Sequence, residues 1–128
     1  MATNTPKPLF DWNWVDAKSK SGMRHINGVG SYLPSSSEVD SKFVRDKCLT
    51  IVDTMESLHV GDLKDLDESS DNFVGTLGDA LTNGGISSNM NGMCTFFKST
   101  GTAIQDIITA DEVIKLAKKQ NVGINVEM

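Results

Sequence analysis

The sequence predicts an all-α domain of about four short amphipathic helices, with an extended N-terminal arm and room for one short C-terminal strand. Three observations carry this expectation. Apolar residues recur at three- and four-residue spacing from Val39 to Leu58. Two capping-box patterns, Ser35 to Glu38 and Thr109 to Glu112, stand at expected helix starts. All three prolines (Pro6, Pro8, Pro34) fall before the first of these patterns. The predicted division is an arm over residues 1–35 and a helical domain over residues 36–128.

The arm holds the turn signals Asn27-Gly28 and Gly28-Val29-Gly30. It also holds Phe10, Trp12 and Trp14, three aromatics at period two. In an extended chain their rings point to one side. They either clamp the arm onto its own core or dock on another subunit, and they are the candidate protein-interface residues.

The first helix is expected over residues 37–58. Val39, Phe43, Val44, Cys48, Ile51, Val52, Met55 and Leu58 form its apolar face, and Gly61 suits its end. Phe43, Ile51, Val52 and Met55 are the expected core. The acidic stretch from Asp62 to Asp71 reads as a solvated turn. A second helix is expected from Asp71 to about Asn83, with Phe73, Leu77 and Leu81 on one face. Asn83-Gly84-Gly85 ends it. A third is expected over residues 87–99, with Met90, Met93, Cys94 and Phe97 inward. A fourth starts at the second capping box and runs to Gln120. Its late lysines, Lys115, Lys118 and Lys119, complement the helix dipole. The tail from Gly123 to Val126 alternates and suits a strand.

Charge narrows the function classes. The chain has 128 residues and a net charge of −5, which fits one domain. The negative charge is concentrated in residues 38–79, which should repel a phosphate backbone, so no nucleic-acid partner is expected. No stretch approaches the ~20 apolar residues of a membrane span. The N-terminus carries no apolar leader, so synthesis in the cytoplasm without a cleavable signal is expected, with export or virion incorporation left open.

Candidate chemistry is sparse. His25, Cys48, His59 and Cys94 lack the close spacing of zinc ligands, so no metal is expected. Cys48 and Cys94 read as free buried thiols, with a single disulfide between them as the alternative. His59 reads as a surface residue. Gly28-Val29-Gly30 lacks a third glycine and any preceding buried strand, so no dinucleotide fingerprint and no cofactor are implied. The 36 residues from Phe73 to Ile108 carry three charges, Asp79, Lys98 and Asp106. They suit either a buried hairpin or an interface.

These features point to a non-catalytic, oligomerising structural subunit of a bacterial or viral assembly, such as a secretion apparatus or a virion. Its partners would be itself or other protein subunits. One alternative is a small acidic adaptor, chaperone or inhibitor that binds a basic protein. The other is an enzyme dependent on Cys48 or Cys94.

Overall fold

The computed structural model describes residues 5–9, 24–82, 94–124 and 126. Along them run strand β1 (Arg24–Gly28), helix α1 (Ser41–Lys47) and strand β2 (Cys48–Val52). Two 3₁₀ turns follow, Met55–His59 and Gly61–Leu63. Then come strand β3 (Phe73–Thr76), helix α2 (Leu77–Thr82), strand β4 (Cys94–Lys98) and helix α3 (Ala103–Gln120). Every strand pairing is parallel, and the sheet order is β1-β4-β2-β3. The architecture is therefore α/β and Rossmann-like. The expectation of an all-α domain is overturned.

The expected first helix breaks at Lys47. Its true N-cap is Asp40, whose carboxylate accepts from the Phe43 amide at 2.9 Å. The pattern from Ser35 to Glu38 caps no helix. After one short helix the chain turns directly into the run Cys48-Leu49-Thr50-Ile51-Val52 as β2. A short apolar run fits helical and buried-strand templates equally, and parallel strands covered on both faces read as continuous hydrophobic stretches. Three consecutive β-branched residues, Thr50 to Val52, favour the strand. Phe43, Ile51 and Val52 are buried, and Met55 packs half-buried against the same core.

The second expected helix divides in the same way. Phe73–Thr76 is β3, the sheet neighbour of β2, and only Leu77–Thr82 is helical. Its cap is centred on Thr76, not Asp71. The Asp79 carboxylate accepts from the Thr76 amide at 3.0 Å, and the Asp79 amide donates to Thr76 Oγ1 at 3.1 Å.

Of the third expected helix, Met90 and Met93 lie outside the described residues, while Cys94–Lys98 is β4. Cys94, Phe96 and Lys98 point to the buried face and Thr95 and Phe97 to the half-covered one. The low charge of this stretch follows from its place, since β4 lies between β1 and β2.

Helix α3 begins earlier than expected. Thr102 and Gln105 form its capping box, and it ends at Gln120, as the sequence indicates. Asn121 follows in the left-handed conformation, φ 53°. The described tail residues, 122–124 and 126, form no strand.

One side of the sheet carries the core. Val39, Phe43, Val44, Val60, Leu63 and Leu66 pack over Cys48, Val52, Cys94 and Phe96. The loop before α1 lies tightly over the second 3₁₀ turn. A Cβ at Gly61 would sit 2.1 Å from the Ser36 carbonyl oxygen, so only glycine allows that approach. Along α3, by contrast, Ile104, Ile107, Ile108, Val113, Ile114 and Leu116 are open to solvent in this chain. No helix among the described residues is long and apolar enough to cross a membrane.

Candidate active site

Open parallel sheets bind ligands outside the carboxyl ends of their strands. In this chain those ends lead into residues 29–37 after β1, Asp53 and Thr54 after β2, and residues 99–101 after β4. Three polar arrangements fix them.

The first is a carboxylate nest. Asp53 accepts through Oδ1 from the Thr54 amide at 2.8 Å and Ser57 Oγ at 2.5 Å. Through Oδ2 it accepts from Ser99 Oγ at 2.8 Å and from the Thr100 and Gly101 amides, each at 2.9 Å. Burial opposes ionisation of this carboxyl. The donors from Ser57, Ser99, Gly101 and Thr54 together outweigh it and hold the group below the usual carboxylate range. Asp53 thereby ties the end of β2 to the turn that follows β4.

The second is a buried charge cluster. Lys98 Nζ lies 2.9 Å from Asp62 and 3.9 Å from Glu38, and all three side chains are fully shielded from solvent. Asp62 also accepts from the Glu38 amide at 2.6 Å, the Val39 amide at 3.0 Å and Ser37 Oγ at 3.1 Å. Glu38 accepts from the Gly30 amide at 2.9 Å. Buried charges persist only when paired and hydrogen-bonded, and this cluster meets that condition through the loop backbone itself.

The third is the loop after β1. Ser31 is buried and donates to the Ser36 carbonyl at 2.5 Å, and the Ser36 amide donates to the Leu33 carbonyl at 3.1 Å. This knit structure leaves Tyr32 and Leu33 exposed at the edge, Tyr32 at 57%.

Among the described residues the edge presents a phenol, aliphatic groups and small hydroxyls over an acidic base. Its one cation, Lys98, is buried and engaged. The amides of Gly30, Thr100 and Gly101 are spent on carboxylates. Gly28 ends β1, a strand that is largely not buried, and the next helix starts only at Ser41. This donor set forms no cradle for a phosphate.

Comparison with known proteins decides the class. The model of the ornithine cyclodeaminase/mu-crystallin family matches residues 1–121. The chain belongs to that family. It is 30% identical over 132 residues to Delta(1)-pyrroline-2-carboxylate reductase of Bacillus cereus, covering 98% of this chain and 38% of the relative. It is 27% identical over 139 residues to an uncharacterised cyclodeaminase of Dictyostelium discoideum, covering 99% of this chain and 38% of that protein. The structure resembles Thermococcus litoralis Delta(1)-pyrroline-2-carboxylate reductase, solved with NADH and L-proline. There the TM-score is 0.73 at 30% identity, over 98% of this chain and 39% of that one. The chain thus spans less than two-fifths of the length of the curated relatives it matches.

Membership of this family overturns the non-catalytic structural subunit of a secretion apparatus or virion, and with it the expectation of no enzyme. The relatives bear the names of reductases and cyclodeaminases. Of the three functional readings the enzyme is the one supported, yet neither cysteine lies at the carboxyl edge. Cys48 and Cys94 are the first residues of their strands and are buried. Phe10, Trp12 and Trp14, the candidate interface residues, lie outside the described residues.

The sequence reading missed Lys98, Asp62, Glu38 and Asp53. The acidic stretch from Asp62 looked solvated, although Asp62 follows Val60-Gly61 and precedes Leu63, all buried. That apolar flank was the available signal. His59 is exposed, as expected. No three His, Cys, Asp or Glu side chains converge on a metal position among the described residues.

Proposed function

We propose that this chain builds the carboxyl-edge part of an NAD(P)H-dependent reductase acting on a small cyclic imino acid, with Δ1-pyrroline-2-carboxylate as the substrate class. The carrying observation is the likeness to the Thermococcus litoralis reductase, at TM-score 0.73 and 30% identity over nearly the whole chain. The site geometry agrees in kind. A rigid loop presents Tyr32 and Leu33 where a parallel sheet receives its ligand, and buried ion pairs hold that loop from beneath.

The described residues do not fit the phosphates of a dinucleotide. The amides of Gly30, Thr54, Thr100 and Gly101 are already bonded to carboxylates, and the buried charge beneath is mainly negative. The role proposed for this chain is therefore to shape the substrate side and exclude water. No phosphate contact and no chemical step is assigned to its residues.

The test is a chimera. This chain replaces the matching 39% of the Thermococcus litoralis enzyme. The folded chimera is assayed for NADH-dependent formation of proline from Δ1-pyrroline-2-carboxylate. Proline formation lost on adding Tyr32→Ala supports the proposal. A chimera of native helicity and solution mass that reduces no cyclic imine contradicts it.

A further inference from the structure

At the amino edge of the sheet, opposite the loops described above, three side chains stand in one row across three strands. Cys94, first in β4, is the register partner of Cys48 on β2 and of Arg24 on β1. Both cysteines are free and buried in the same core cluster. Adjacent strands run about 4.7–4.9 Å apart, and a disulfide needs Cα atoms about 4.4–6.8 Å apart. Register partners facing the same side of a sheet meet that Cα spacing.

We propose that Cys48 and Cys94 form a redox site that takes a small hydroperoxide, hydrogen peroxide being the simplest, and closes to an intramolecular disulfide. Burial favours a small oxidant over a bulky disulfide reagent. Cys94 is the attacking sulfur. Its register neighbours are Cys48 and Arg24, and the Cys48 thiol and the Arg24 charge draw its pKa down against the cost of burial. The thiol of Cys48, buried beside Cys94, is pushed up. A thiol of lowered pKa beside one of raised pKa is the arrangement of an attacking and a resolving cysteine.

The chemistry balances. The Cys94 thiolate attacks one peroxide oxygen, an S–O bond forms, the O–O bond breaks and hydroxide leaves to become water. Cys48 then loses its proton and attacks the Cys94 sulfur. The S–S bond forms, the S–O bond breaks and a second water departs. The two thiols lose two electrons and the peroxide gains them. The product ties the amino ends of β2 and β4, whose carboxyl ends Asp53 already joins.

The test uses the full reduced chain treated with stoichiometric hydrogen peroxide, then alkylated and analysed by peptide mass spectrometry. The proposal expects loss of both alkylatable thiols, one linked peptide pair containing Cys48 and Cys94 with two hydrogens missing, and a higher thermal midpoint reversed by dithiothreitol. Cys48→Ser should stop at a sulfenic acid on Cys94 that dimedone traps. Intact thiols, a disulfide between two chains, or accumulation of sulfinic acid in the wild-type protein would each overturn the proposal. The wild-type measurement decides even if the variant fails to fold.

Discussion

The Lys98 ammonium lies 2.9 Å from the Asp62 carboxylate, and neither side chain is exposed. Lys98 ends β4, and Asp62 lies in the second 3₁₀ turn, 36 residues away in sequence. Between them they lock that turn, the start of α1 and the loop after β1 beneath the strand ends. Removing one partner strands a buried charge. Lys98→Met should cost roughly 3–5 kcal/mol by denaturant titration, the range for breaking a buried pair. The double variant with Asp62→Asn should cost less than the two single losses combined, because it leaves neither member of the pair as a buried charge without its partner. Strict additivity would mean that the two side chains are uncoupled.

Asp53 should govern part of the acid limb of stability. Its folded pKa is depressed, so its contribution is complete above the unfolded value of about 3.9. That contribution is lost as pH falls through the lower folded value. Asp53→Asn should lower stability at neutral pH by roughly 3 kcal/mol, through lost charge-assisted hydrogen bonds. It should also flatten the loss of stability below about pH 4. An unchanged acid limb in a circular-dichroism titration would show that the nest does not favour the ionised form.

Burial separates two isoleucines. Ile51 is 4% exposed and Ile107 is 66% exposed. Ile51→Ala should cost about 2–4 kcal/mol by lost transfer energy and a residual cavity. Ile107→Ala should fall within about 0.5 kcal/mol in the isolated chain. Equal losses would mean that α3 packs on the sheet in solution.

Gly61 offers a steric test. A methyl at this position meets the Ser36 carbonyl, a backbone atom that cannot swing away. Gly61→Ala should destabilise by about 1–3 kcal/mol, the range for overpacking. It should also speed amide exchange in residues 33–37. Exchange unchanged there would contradict the close approach.

These contrasts show what was legible in the sequence. The apolar positions of the core were readable, since Phe43, Ile51 and Val52 are buried whichever element carries them. The end of α3 at Gln120 was readable because three late lysines mark it. The strands were not. Val44, Cys48, Ile51 and Met55 keep helical spacing across a junction where helix passes directly into strand, with no glycine or proline to punctuate it. β4 was hidden for a related reason: five residues between β1 and β2 need few charges and show only one short alternation. The site was less legible still. Lys98, Glu38 and Asp62 are charged residues that tertiary pairing buries, and local pattern places such residues in solvent. Their partners come from three separated segments.

The most direct test of the central claim, that ligand meets this chain at the carboxyl edge, is hydrogen–deuterium exchange of the folded chimera with and without NADH and L-proline. The account predicts slowed exchange in residues 29–37 and 99–101, with amides near Cys48 and Cys94 unaffected by ligand. Protection confined to the amino edge or to α3 would contradict it. So would no protection in this chain while the chimera turns over substrate.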